Sequence, residues 1–129
     1  MTGETREFYN DELAADGIYT AVTKWETTQV RKLTDLVVKH HYWRDQAGQL
    51  WLNFDDMMEN PRADFIAYRK RKGYLTPEQL QHYRQARHLT KAALADQLDI
   101  KAQAITQLET NLRVQTDEQE VELRRILGC

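Results

Sequence analysis

The segment Thr90-Lys91-Ala92-Ala93-Leu94-Ala95-Asp96-Gln97-Leu98-Asp99-Ile100-Lys101-Ala102-Gln103-Ala104-Ile105-Thr106-Gln107-Leu108-Glu109-Thr110 carries two helical patterns broken by a tight turn. Thr90 supplies a side-chain oxygen where the free N–H groups of a helix start need an acceptor. Ala93, Leu94 and Leu98 then recur at helical spacing. Asp99-Ile100 interrupts the pattern, and a second helix is expected from about Ala102 to Thr110. In it Ile105 and Leu108 turn inward, while Lys101, Gln103, Thr106 and Gln107 face out.

Working outward, the same grammar continues. Thr76-Pro77-Glu78-Gln79 opens a preceding helix with Leu80, Tyr83 and Ala86 as its apolar stripe. Thr116-Asp117-Glu118-Gln119 has capping-box spacing and starts a following helix through Val121, Leu123, Ile126 and Leu127, stopped by Gly128. Further upstream, Asn60 reads as an N-cap before Pro61, and Phe65, Ile66 and Tyr68 lie in the turns that follow. Arg69-Lys70-Arg71-Lys72 fills the last turn before Gly73, as suits a helix C-terminus. That basic run reads first as a solvated helix end and second as a phosphate contact. The segment is expected to be a linker helix.

Before the linker the period changes to two. Leu36–Trp43 and Gln49–Phe54 flank Arg44-Asp45-Gln46-Ala47-Gly48, a hairpin loop with glycine at its left-handed position. Leu50, Leu52 and Phe54 alternate with Trp51 and Asn53. Residues 18–30 are rich in Thr, Val and aromatics, which favours a third strand, although Ile18, Val22, Trp25, Leu33 and Leu36 also fall near helical spacing. The first dozen residues are polar and are expected to be loose. The resulting class is α+β: a small N-terminal antiparallel β module over residues 1–58, a linker helix over 59–73, and a helical domain over 74–129.

Composition bounds the rest. A hydrophobic fraction of 41% with 29% charged residues is that of a soluble globular protein. No apolar run approaches the roughly 20 residues that cross a bilayer. The opening Met1–Glu7 lacks the basic and apolar regions of a signal peptide. With Cys129 the single cysteine, neither a disulfide nor a cysteine zinc cage is expected, and a cytoplasmic location fits. Net charge is −2, but residues 1–60 hold a balance of −5 and residues 61–129 a balance of +3.

Two short helices with a three- or four-residue turn let the second lie in a DNA major groove while the first braces it. Ala95 provides the small residue at the crossing, and Ile100 the apolar plug of the turn. This pattern resembles the lambda-repressor-like (Cro/C1, XRE-type) helix-turn-helix family over about 50 residues. Asp99, Lys101 and Asn111 depart from it, standing where glycine, a Ser/Thr cap and glycine are usual. Asp and Asn tolerate the left-handed backbone such positions need. The resemblance implies that Lys101, Ala102, Gln103, Thr106 and Gln107 meet base edges. It also implies that Lys91, Asn111 and Arg113 meet phosphates.

The stretch from Asn60 to Glu78, following a hairpin, further resembles MqsA-like (YgiT-type) antitoxin regulators, in which a zinc module precedes a linker helix. Here Arg44 and Ala47 occupy the cysteine places of the zinc knuckle, so the resemblance implies a lost zinc site. Packing around Trp43 and Trp51 would hold the β half.

No nucleophile–base pair, phosphate-cradling glycine loop or metal-spaced cluster stands out. His40 and His41 are adjacent and point to opposite faces of a strand. His82 and His88 have no carboxylate pattern around them, and Asp55-Asp56 reads as a solvated pair. The expectation is a DNA-binding regulator and not an enzyme. It would need no metal or cofactor and would bind double-stranded DNA as a homodimer, with a protein partner such as a toxin docking on residues 1–60. A protein-interaction module or phage-type inhibitor on a degenerate helix-turn-helix scaffold is the competing expectation.

Overall fold

A computed structural model describes residues 3–129, which form a four-strand antiparallel sheet followed by five helices. The strands are β1 (Thr5–Asn10), β2 (Ala15–Val30), β3 (Leu33–Arg44) and β4 (Leu50–Trp51). The helices are α1 (Glu59–Lys72), α2 (Pro77–Ala86), α3 (Lys91–Leu98), α4 (Ala102–Glu109) and α5 (Asp117–Leu127). The chain divides into two compact units, Met1–Asp64 and Phe65–Cys129, so the division falls inside α1. No helix among the described residues is long and apolar enough to cross a membrane.

The strand order β1-β2-β3-β4 corrects the expectation of three strands and a loose start. Thr5–Asn10 pairs along Ala15–Thr20, with Phe8 opposite Gly17. Its alternation explains why a polar segment orders. Phe8 packs at 5.0 Å from the Trp43 ring and 4.8 Å from Phe54, and Tyr19 joins them at 5.0 Å from Phe54. The buried Asn10 amide donates to the Tyr19 hydroxyl at 3.1 Å, and Arg6 lies over the Trp43 ring. The sheet unit is thus held at this end by an aromatic cluster, with Trp43 only 3% exposed. The last strand is shorter than its alternation suggested. Only Leu50 and Trp51 pair with β3, Leu52 is exposed, and Phe54 turns into the cluster.

The β3–β4 loop closes as expected, with Gly48 at φ +90°. The Asp45 carboxylate accepts from the Trp51 indole at 3.0 Å and from the Gln49 amide at 2.8 Å, and these bonds hold its pKa below the usual range.

The opposite face, at the long β2–β3 ribbon, carries Leu36, Val38, His40 and Tyr42 beside Thr28, Glu26, Lys24 and Val22. His40 is buried there between two carboxylates. Its Nδ1 bonds Glu26 at 2.8 Å and its Nε2 bonds Asp64 of α1 at 2.5 Å. Thr28 donates to the other Asp64 oxygen at 3.3 Å, and the Tyr42 hydroxyl donates to Glu26. Asn60 lies inside α1 and does not cap it. Its side chain instead grips the free edge of β3, accepting from the His41 amide at 2.8 Å and donating to the His41 carbonyl at 3.0 Å. His41 points to the other face, as expected, against Trp43 and Glu59. Asp56 pairs with Arg62.

Burial alone would push the His40 pKa down. The hydrogen bonds to Asp64 and Glu26, with their charges, outweigh that and raise it above its ordinary 6.5. Tyr42 first and His40 second hold the Glu26 carboxyl below its usual 4.5. The folded-state pKa of His40 exceeds the unfolded one, so its stabilisation is complete below about 6.5 and is lost as pH rises through the raised value. The Glu26 contribution is present above its unfolded pKa and is lost as pH falls through its lowered one. All three tryptophans, Trp25, Trp43 and Trp51, belong to the sheet unit, so their fluorescence reports on it. A thermal melt read this way is expected to lose stability from neutral to alkaline pH. His40→Gln should flatten that limb and lower the melting temperature at pH 6; an unchanged slope would refute the assignment.

Candidate nucleic-acid interface

The helical unit is built around Leu80, Leu94, Ala95, Ile105, Leu108 and Leu123, all nearly inaccessible to solvent. Each of its starts is capped where the sequence offers an oxygen. Thr76 and Thr116 form complete capping boxes with Gln79 and Gln119, and Thr90 accepts from the Ala93 amide. Lys101, before α4, makes no side-chain cap bond. Ala86 and Val121, expected on apolar stripes, are exposed.

Every helix ends in one device: a left-handed residue, followed by an amide that reaches back to the carbonyl five residues earlier. The left-handed residues are Gly73, His88, Asp99, Asn111 and Gly128. The closing bonds run from Tyr74 to Arg69, Leu89 to Arg84, Ile100 to Ala95, Leu112 to Gln107, and Cys129 to Arg124. Asp99 at φ 56° and Asn111 at φ 60° therefore do what glycine would do, at a modest steric cost. Residues 99–101 alone join α3 to α4, and Ile100 packs against the core from that turn.

Two buried cations determine how α4 is held. Arg84 of α2 makes a two-pronged pair with Glu109 at the end of α4, Nε at 2.6 Å and Nη2 at 3.0 Å. Their side chains are 9% and 4% exposed. Arg84 also donates to the Leu89 carbonyl at 2.9 Å, so one guanidinium ties the end of α2 to the end of α4. Arg69 is 2% exposed, which corrects the reading of 69–72 as a solvated helix end at its first residue, while Lys70, Arg71 and Lys72 are exposed as expected. It donates to Asn111 Oδ1 at 2.5 Å, to Gln115 Oε1 at 3.1 Å and to the Arg113 carbonyl at 2.6 Å. Gln115 in turn donates to Glu120 at 2.8 Å and to the Leu75 carbonyl at 2.9 Å. Burial pulls the Arg69 pKa down to about 10, opposed by the charges of Glu78 and Glu120, so it stays protonated at neutral pH.

The expected contact residues separate into three groups. Lys101, Ala102 and Gln103 are exposed on the first turn of α4, and Thr106 and Gln107 are half-buried beside them. Lys91, the first residue of α3, is half-buried, and Arg113 is exposed. Asn111 does not fit its expected role as a phosphate contact: it is buried and its amide oxygen is taken by Arg69. Opposing charges lie close in sequence, since Asp96 and Asp99 are exposed near Lys101. Over Phe65–Cys129 the balance is 11 Lys/Arg to 8 Asp/Glu. Sequence reasoning missed the Arg84 and Arg69 networks. The available signal was position, because Arg84 follows Leu80 by four and Arg69 follows Phe65 by four, which puts both on the apolar stripes of their helices.

Among the described residues no group of three or more His, Cys, Asp or Glu side chains could hold a metal ion. Comparison with protein-family models, with curated proteins and with solved structures finds no match to this chain.

Asn111→Gly separates the backbone requirement from the side-chain one. It relieves the left-handed strain yet leaves the buried Arg69 guanidinium short of an acceptor, so a net loss of about 1–2 kcal/mol is expected. Glu109→Gln is expected to cost about 3 kcal/mol, because it strands a buried charge. Urea unfolding followed by helical circular dichroism measures both; a stabilised Asn111→Gly would show that the Arg69 network contributes nothing.

Proposed function

We propose that the helical unit binds double-stranded DNA as a transcriptional regulator, with α3 and α4 as a lambda-repressor-like helix-turn-helix and α4 in the major groove. The observation that carries this reading is the division of α4 into two sides. Ala104, Ile105 and Leu108 are buried, while the first turn presents Lys101, Ala102 and Gln103 to solvent, with Thr106 and Gln107 one turn on. Base edges are read by such short polar side chains at a helix start: Gln pairs bidentately with adenine, and an Ala or Thr methyl meets thymine. Lys91 and Arg113 flank the helix in sequence at places suited to phosphates. An Arg84–Glu109 pair that fixes α4 against α2 supports it too, because readout requires a rigid reading head.

In this reading the protein is a repressor, of the antitoxin-type autoregulators, acting as a dimer on a palindromic site. The sheet unit would be the part that meets a protein partner such as a toxin. The reading as a protein-interaction module or inhibitor on the same scaffold is favoured by one observation, the exposed Asp96 and Asp99 beside the reading head. Those carboxylates oppose a phosphate backbone.

Binding to the promoter of the protein's own operon, set against random duplex, decides between them. Gln103→Ala and Gln107→Ala are each expected to lose about 1–3 kcal/mol of discrimination for one base pair. Lys91→Ala and Arg113→Ala should weaken all sequences alike and reduce the salt slope by about 1 each. Equal affinity of wild type for both duplexes, or affinity indifferent to salt, overturns the regulator reading.

A further inference from the structure

The C-terminal half of α1 and the start of α2 border a cavity of about 320 Å³. Ile66, Arg69 and Lys70 reach it from α1 at spacings of three and four, which put them on one helix face. The left-handed turn at Gly73 then returns Tyr74, Pro77 and Glu78 to the same cavity. Its volume lies at the small end of the roughly 300–1,000 Å³ that ligand pockets occupy. The lining also follows their rule of apolar walls with a few polar groups. Ile66, the Tyr74 ring and Pro77 supply the walls.

The charges around it are unequal. Arg69 and Lys70 contribute two cations, and Glu78 one carboxylate. Lys70 and Glu78 are exposed, whereas Arg69 is 2% exposed. A guanidinium carries five N–H groups. The bonds of Arg69 to Asn111, Gln115 and the Arg113 carbonyl use three of them, one from each nitrogen, and all three acceptors are neutral. The two N–H groups beyond these bonds belong to Nη1 and Nη2, the pair that a carboxylate can bridge. Leaving a buried donor without an acceptor costs more than an ordinary hydrogen bond contributes, so these two call for a partner. A single negative charge also balances the lining, since it brings two cations and one carboxylate to zero.

We propose that this cavity binds a small organic monoanion: a carboxylate held by Arg69 and Lys70, on an apolar body packed against Ile66, Tyr74 and Pro77. The site goes beyond the DNA-binding reading, lies wholly in the helical unit and is measured without DNA, so failure of that reading would leave it standing.

Phenylacetate, titrated into the isotope-labelled full chain, is the probe. Binding is read by NMR at the Arg69 Nε–H and at the Tyr74 and Asn111 amides, with circular dichroism to check that each variant folds. A Kd of about 1 mM is expected. Acetate has the charge without the body, and phenethylamine has the body with the opposite charge. Each should bind about tenfold more weakly or worse. Lys70→Glu is expected to weaken phenylacetate about tenfold, and Glu78→Gln to tighten it about threefold. Both side chains are exposed, and effects of opposite sign exclude a loss that merely follows destabilisation. Lys32→Glu makes the same charge change on an exposed residue of the sheet unit and should leave the Kd unchanged. No saturable shift by about 10 mM phenylacetate overturns the proposal. So does phenethylamine binding as tightly as phenylacetate, or a Kd indifferent to Lys70→Glu and Glu78→Gln.

Discussion

A charged side chain taken out of water must meet fixed partners of the right geometry, and both units of this chain are organised around that constraint. In the helical unit the centre is Arg69. The hydrogen bonds of its guanidinium run to an amide oxygen, a second amide oxygen and a carbonyl, one from each nitrogen. Those acceptors sit on the loop between α4 and α5, so the loop can take only the path that presents all three. The left-handed turn at Asn111 is one consequence, since it aims the side-chain oxygen inward while the backbone closes α4. Gln115 passes the constraint on to Leu75 and Glu120, and so to the starts of α2 and α5.

Arg84 and Glu109 apply the same rule to the crossing of α2 and α4. A purely apolar contact between two short helices would let them slide, because burial has no direction. A two-pronged bond between a guanidinium and a carboxylate has direction, and it sits at the far end of α4 from the exposed first turn. The end of α4 is fixed while Lys101, Ala102 and Gln103 stay open to solvent. In the sheet unit His40 plays the corresponding part, with Glu26 on one nitrogen and Asp64 on the other. Unlike the two arginines it can lose its charge within an ordinary pH range, which makes this junction the one that titrates.

What was legible in the sequence was whatever depends on neighbours along the chain. Thr76, Thr90 and Thr116 mark helix starts through bonds made within three residues, and Gly73 and Gly128 mark ends through backbone freedom. The hairpin loop at Gly48 is local too. The illegible features join residues far apart. Thr5–Asn10 looked like a polar leader, and its order comes from Phe8 meeting Trp43 and Phe54. Asn60 looked like a cap, because nothing in its surroundings announces the His41 edge. Arg69 and Asn111 looked like a solvated end and a phosphate contact, since composition cannot tell a buried cation from an exposed one. For Arg69, only its helical register against the apolar stripe carried the information.

The charge on the helical unit bears directly on the proposed DNA-binding reading. Neutralised phosphates supply the sequence-independent part of DNA affinity, and here few cations lie near α4 while Asp96 and Asp99 subtract from them. On the proposed DNA-binding reading a single head would bind weakly at physiological salt, so affinity would have to come from a second head on the same duplex. Linking two heads turns the second contact into an intramolecular one, which raises the affinity for a site with two halves far more than for random sequence.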